Sequence, residues 1–142
     1  MVKVIQDLWI LTDGGIVLFN RVYDPKVSAQ LFGALMTALD SYAKEIGSGN
    51  RGLKSFELQN IRFTIIKKRN LLFVANSSKK YKEKKVMDEL KKISEKFFDK
   101  YSYIFDDFDS WNMEISKFSN FESDIEDALE DSIEKFWHGM LE

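Results

Sequence analysis

Cysteine is absent from this chain, which removes disulfide frameworks, thiolate nucleophiles and thiolate-rich metal sites from consideration. Histidine occurs once, as His138, leaving no second imidazole for a metal site and no nucleophile for it to serve. The single proline, Pro25, argues against long disordered linkers. No apolar run approaches the roughly 20 residues of a membrane span. The first residues carry one lysine and then enter an apolar strand pattern, unlike a secretory signal peptide. What remains is 44% hydrophobic and 31% charged, with twelve Phe and three Trp among 142 residues. That is enough chain for one domain with a substantial core, spanning 1–142, in which the aromatic load serves core and interface.

The opening is the most specific stretch. Leu8-Trp9-Ile10-Leu11 and Ile16-Val17-Leu18-Phe19 flank Thr12-Asp13-Gly14-Gly15, and apolar runs around such a turn predict a hairpin. Neither run alternates, so both faces of the hairpin are expected to be covered. Asp24-Pro25 starts a helix that should stop at Gly47. Strands follow over 53–58, 61–66 and 71–75, with turns at Gln59-Asn60 and at 67–70. A second helix carries Val86, Leu90, Ile93, Phe97 and Tyr101 on one face. Residues 106–120 read as a loop plugged by Phe108, Trp111 and Phe118. Ser119 and Glu122 then have the spacing of a capping box before a last helix, which would align Phe121, Ile125, Leu129, Ile133, Phe136 and Met140.

The resulting order β-β-α-β-β-β-α-α resembles the longin, or SNARE-like, fold and its roadblock relative over nearly the whole chain. The segment from Phe56-Glu57-Leu58-Gln59-Asn60-Ile61 to Leu72-Phe73-Val74 is similar to the third-to-fifth strands of clathrin-adaptor small subunits. The opening Trp9-Ile10-Leu11, Gly14-Gly15 and Leu18-Phe19 resembles prokaryotic longin and roadblock proteins. The resemblance implies an α+β fold, within the broad α/β class, sharing the profilin-like architecture. Its five-stranded antiparallel sheet, in order 2-1-5-4-3, would lie between one helix and two.

Candidate sites are few. The loop from Gly47 to Gly52 follows a helix and precedes a strand, and Leu53 stands where a phosphate-binding loop needs Lys, so it reads as a connector. Asp106, Asp107 and Asp109 match no calcium-loop spacing. His138 falls near the end of the last helix, where the dipole favours a cation. No metal, cofactor or catalytic constellation is expected. Charge is uneven: residues 1–50 carry 4 basic and 5 acidic side chains, 51–100 carry 15 and 6, and 101–142 carry 2 and 12. Either the acidic end folds against the basic middle, or the field steers a charged partner. Lys79, Lys80, Lys82, Lys84 and Lys85 precede the second helix and oppose its dipole. They read as a solubilising loop or as a patch for an acidic partner or anionic membrane. Tyr81 alone interrupts the run, and the net charge is −2, so nucleic acid is not expected.

On the first helix, Leu31, Leu35, Leu39, Tyr42 and Ile46 centre one face. Phe32, Met36, Ala43 and Ala29 widen it to about twice the stripe that covers a sheet. Leu35 and Leu39 are expected to face the sheet; either the helix sinks deeply between the sheet and its neighbours, or its flank, with Phe32, Met36, Leu39 and Ala43, is a protein interface at the edge of the buried surface. The resemblance implies a non-enzymatic, cytoplasmic interaction domain in small-GTPase regulation or vesicle trafficking. It would pair as a homodimer or heterodimer with another longin or roadblock domain, contact a small GTPase, and touch membranes peripherally. Alternatives are a roadblock-like GTPase-activating partner, a profilin-like actin binder, or a small enzyme with an unrecognised site. No coiled-coil heptad region or anchor is evident, so a fusion-driving role is not expected.

Overall fold

The computed structural model describes residues 3–22, 29–47, 54–58, 60–105 and 116–129. The expected helix start at Asp24-Pro25, the loop from 48, the aspartates at 106, 107 and 109, the plugs Phe108 and Trp111, and His138 lie outside them. Five strands form one antiparallel sheet: β1 (Asp7–Thr12), β2 (Val17–Arg21), β3 (Ser55–Leu58), β4 (Ile61–Lys68) and β5 (Leu71–Ser78). Their spatial order is β2-β1-β5-β4-β3, as expected from the resemblance. Helix α1 (Ala29–Ile46) covers one face, and α2 (Glu83–Phe105) covers the other with the short α3 (Phe121–Ile125).

Two cores therefore sit back to back. Every residue of β1 is buried, because successive side chains feed opposite cores. Leu8 and Ile10 join the α2 side, while Trp9 and Leu11 join the α1 side. Trp9 and Phe19 are both buried, as the hairpin pattern predicts. Asp13 and Gly14 form the turn, Gly15 takes φ 95°, and its N–H donates to the Thr12 carbonyl at 3.0 Å. At the β4–β5 hairpin, Lys67 and Lys68 continue the strand. The turn narrows to Arg69-Asn70, with Arg69 at φ 56°.

β5 runs three residues beyond the expected Ala75. Asn76 and Ser77 look like loop residues, yet both are fully buried. The amide of Asn76 makes this possible: Asp7 N–H donates to Asn76 Oδ1 at 2.8 Å, and Asn76 Nδ2 donates to Asp7 Oδ2 at 3.1 Å. A polar pair that satisfies itself can continue a central strand.

The last segment departs most from expectation. Ser119 Oγ donates back to the Ser116 carbonyl at 2.8 Å, and Asn120 at the helix start makes no side-chain cap, so no capping box forms. A 3₁₀ turn over Ser116–Asn120 leads into α3, which ends at Ile125. A second 3₁₀ turn over Glu126–Ala128 follows, and Leu129 is extended, bridging in parallel to Ile5. The continuous helix expected through Met140 is broken at this point. Pairing beside the start of β1 leaves Leu129 buried, 1% exposed.

Candidate interaction surface

The two helices meet the sheet differently. α2 places Val86, Leu90, Ile93, Phe97, Tyr101 and Ile104 in the core, the expected face extended by one turn. Phe97 is the hub, with its ring 5.7 Å from Phe73, 5.6 Å from Phe118 and 5.2 Å from Phe121. Tyr101 Oη donates to the Lys117 carbonyl at 3.1 Å. Burial pushes the Tyr101 hydroxyl above the ordinary tyrosine range, because a phenolate there would be poorly solvated. Lys100 Nζ sits 2.6 Å from Asp124 Oδ2, which raises the lysine and joins the basic middle of the chain to its acidic end.

α1 is rotated relative to the sequence reading. Its buried line is Gly33, Met36 and Asp40. Gly33 explains the phase: a Cβ there would lie 2.2 Å from the Gly15 carbonyl oxygen, so the two backbones touch where no side chain intervenes. With that contact as the pivot, Phe32 stacks on Trp9 at 4.2 Å and Met36 becomes fully buried. Leu39 packs against the same core, and Ala43 is half-buried. The expectation that Met36 belongs to a protein interface is thus corrected, because its side chain is fully buried; Phe32, Leu39 and Ala43 are half-buried beside it. Leu35, expected on the sheet, is 53% exposed.

The apolar surplus is real but lies on the other side. Leu31 is 63% exposed, Tyr42 64% and Ile46 69%, and with Leu35 and Ala38 they run along one outward seam. Their spacing, 31-35-38-42 and then 46, is close to the alternating four and three of helix pairing. The signal that would have located this seam is Gly33, the one residue of α1 that lets the helix sink.

At the C-terminal end of α1, Lys44 Nζ lies 3.2 Å from Asp40 Oδ2 and next to Lys67. Lys44 pushes Lys67 below the ordinary lysine range, with burial adding to the shift. Lys44 itself is raised, through its neighbour Lys67 and then through Asp40. The basic run sits at the opposite end of β5. Lys79 reaches Glu57 at 3.5 Å, and the Lys80 ammonium lies 5.2 Å from the centre of the Tyr81 ring. Lys82, Lys84 and Lys85 are exposed, and Glu83 supplies the acid of the first helical turn. Beyond them the exposed positions of α2 through residue 100 are charged: Lys91, Lys92, Lys96 and Lys100 alternate with Asp88, Glu95 and Asp99.

Among the described residues no group of three His, Asp or Glu side chains could hold a metal ion, and no helix is long and apolar enough to cross a membrane. The arrangement offers surfaces: an apolar seam on one side and a charged, mainly basic face on the other.

No curated protein matches the chain. Among solved structures it is similar to the roadblock/LC7 domain from Streptomyces avermitilis, at 19% identity over 54% of this chain and 68% of that one, with a TM-score of 0.45. It is similar to the gliding protein MglB from Thermus thermophilus, at 12% identity over 58% and 67%, TM-score 0.48. It is also similar to Myxococcus xanthus MglB, at 17% identity over 65% and 85%, TM-score 0.46. The family model "First Longin domain of FUZ, MON1 and HPS1" matches residues 6–103, which takes in the whole sheet, α1 and nearly all of α2. The chain belongs to that longin family.

Proposed function

We propose that this domain is a non-enzymatic scaffold of a small-GTPase regulatory assembly, pairing through the outer face of α1 with a second longin or roadblock domain. The observation that carries the reading is the exposed seam of Leu31, Leu35, Tyr42 and Ile46. Four large apolar side chains on one helix face cost solvation unless a partner covers them. The partner is a second copy or a related domain, and the paired domains together present the surface a GTPase reads. The lysines at 80, 82, 84 and 85 form a separate patch for an acidic partner, which makes that contact salt-sensitive.

Light scattering on size-exclusion fractions tests the pairing. Leu35→Asp with Tyr42→Asp should convert a dimer to a monomer, or abolish capture of a related domain, with an unchanged circular dichroism spectrum. Retention of every partner by the folded variant would falsify the assignment of the seam. For the basic patch, Lys80→Ala with Lys84→Ala and Lys85→Ala should flatten the salt dependence of partner binding without lowering the melting temperature.

A further inference from the structure

Two turns close the same end of the sheet. The Asp13 N–H donates to the Asn70 carbonyl at 3.0 Å, which holds the β1–β2 turn against the β4–β5 turn. Cations gather there from α1 and from the sheet. Lys44 lies beside Lys67. Lys68 and Arg69 reach the other face, their charged groups 5.6 and 5.4 Å from the centre of the Phe98 ring. The carboxylates that act on Lys44 and Lys67 are Asp40 and Asp13. Apolar side chains stand at the same end. Ile16, beside the first turn, is 37% exposed. α2 runs toward this end, and Tyr103, about 7.5 Å beyond Phe98 along the helix axis, is 65% exposed. We infer that this end of the domain, with Lys44, Lys67 and Lys68 flanked by Ile16 and Tyr103, rests on a membrane surface of anionic lipid.

The combination of charge and apolar surface chooses this occupant. Peripheral membrane binding grows with the apolar area placed at headgroup level and with the attraction of lysines to anionic lipid. Tyrosine suits that level, because its ring is apolar and its hydroxyl stays wet. Lysine stems lie along apolar surface while their ammonium groups meet phosphates. A soluble phosphate compound would answer the lysines alone and leave Ile16 and Tyr103 in water. The run from Lys79 to Lys85 offers charge without the apolar part. There Lys79 is bonded to Glu57 and Tyr81 is half-buried, and the described residues expose no large apolar side chain. β5, eight residues long, holds the two ends roughly 25 Å apart, so a flat bilayer meets one of them.

Sedimentation of the full chain tests this with vesicles of phosphatidylcholine alone and of equal parts phosphatidylcholine and phosphatidylserine. The protein should sediment with the mixed vesicles, not with the neutral ones, and should be released as salt is added. Lys67→Ala with Lys68→Ala should weaken binding about tenfold or more, while Lys80→Ala with Lys84→Ala and Lys85→Ala should change it less than about twofold. The absence of cysteine lets the orientation be read directly. An environment-sensitive fluorophore attached at Ile16→Cys or Tyr103→Cys should shift to the blue on the mixed vesicles, and one at Lys84→Cys should not. No binding to mixed vesicles, equal binding to neutral ones, or binding lowered by the triple variant alone overturns the assignment, as does a shift confined to Lys84→Cys. Calorimetry with inorganic pyrophosphate is the second arm: binding that Lys67→Ala with Lys68→Ala removes, in a protein that ignores vesicles, replaces the membrane with a soluble phosphate. None of these variants alters Leu35 or Tyr42, so the pairing along α1 stands or falls by its own measurement.

Discussion

α1 and α2 lie on opposite faces of one sheet and solve opposite problems. α2 turns its apolar residues inward and shows solvent a ladder of lysines and carboxylates, with Tyr103 as the exception, 65% exposed. α1 commits its inward side to a glycine contact, one buried methionine, one aromatic stack and a buried Asp40, and shows solvent leucine, tyrosine and isoleucine. The second helix completes the fold on its side; the first leaves apolar surface uncovered. That difference is what makes α1, rather than α2, the face to test for association.

The comparison breaks most readily at Phe97. Phe97→Ala removes the ring that joins α2, β5 and α3, and should cost about 3–5 kcal/mol in chemical denaturation. Met36→Ala, the matching truncation under α1, should cost about 2–5 kcal/mol; a loss below about 0.5 kcal/mol would return the helix to the orientation first expected from its sequence. Gly33→Ala should cost about 1–3 kcal/mol, since the new methyl must push α1 off the Gly15 backbone. Tyr101→Phe should cost about 1 kcal/mol through the lost bond to Lys117. It should also remove an alkaline dependence. A tyrosine whose folded pKa is raised contributes stability that is complete below the unfolded value, about 10, and is lost as pH rises through the folded one. The wild type should therefore weaken between these values more than Tyr101→Phe, in denaturation curves recorded across that range. The smallest effect sharpens the contrast: Leu35→Ala should change stability by less than about 0.5 kcal/mol while weakening association.

Where local chemistry decided the outcome, the sequence was readable. Apolar runs around Asp13-Gly14-Gly15 located the hairpin, and the spacing of Val86, Leu90, Ile93, Phe97 and Tyr101 gave the buried face of α2. The α1 arc was legible in width but not in direction, because periodicity weighs apolar residues and Gly33 weighs nothing on such a scale. Leu31 and Leu35 outweigh it in hydrophobicity, yet the missing side chain sets how deeply the helix seats. Asn76 and Ser77 were unreadable as strand because the partner that permits the burial of Asn76, Asp7, lies 69 residues away from it. The end of α3 was hidden for the same reason, since the extended conformation of Leu129 answers to Ile5, at the other end of the chain.

Gln30 leaves a consequence for how the sheet can grow. Its carboxamide accepts from the Val17 N–H and donates to the Val17 carbonyl, both at 3.1 Å, so one side chain makes the two bonds that an added strand would make. The parallel bridge from Ile5 to Leu129 supplies a backbone neighbour near the other end of the same border. Chains that stack through open strands polymerise from whichever border offers free backbone groups. Here a side-chain amide occupies the outward backbone groups of Val17 at that border, and Gln30→Ala, which frees them, should raise the tendency to aggregate on storage without unfolding the domain.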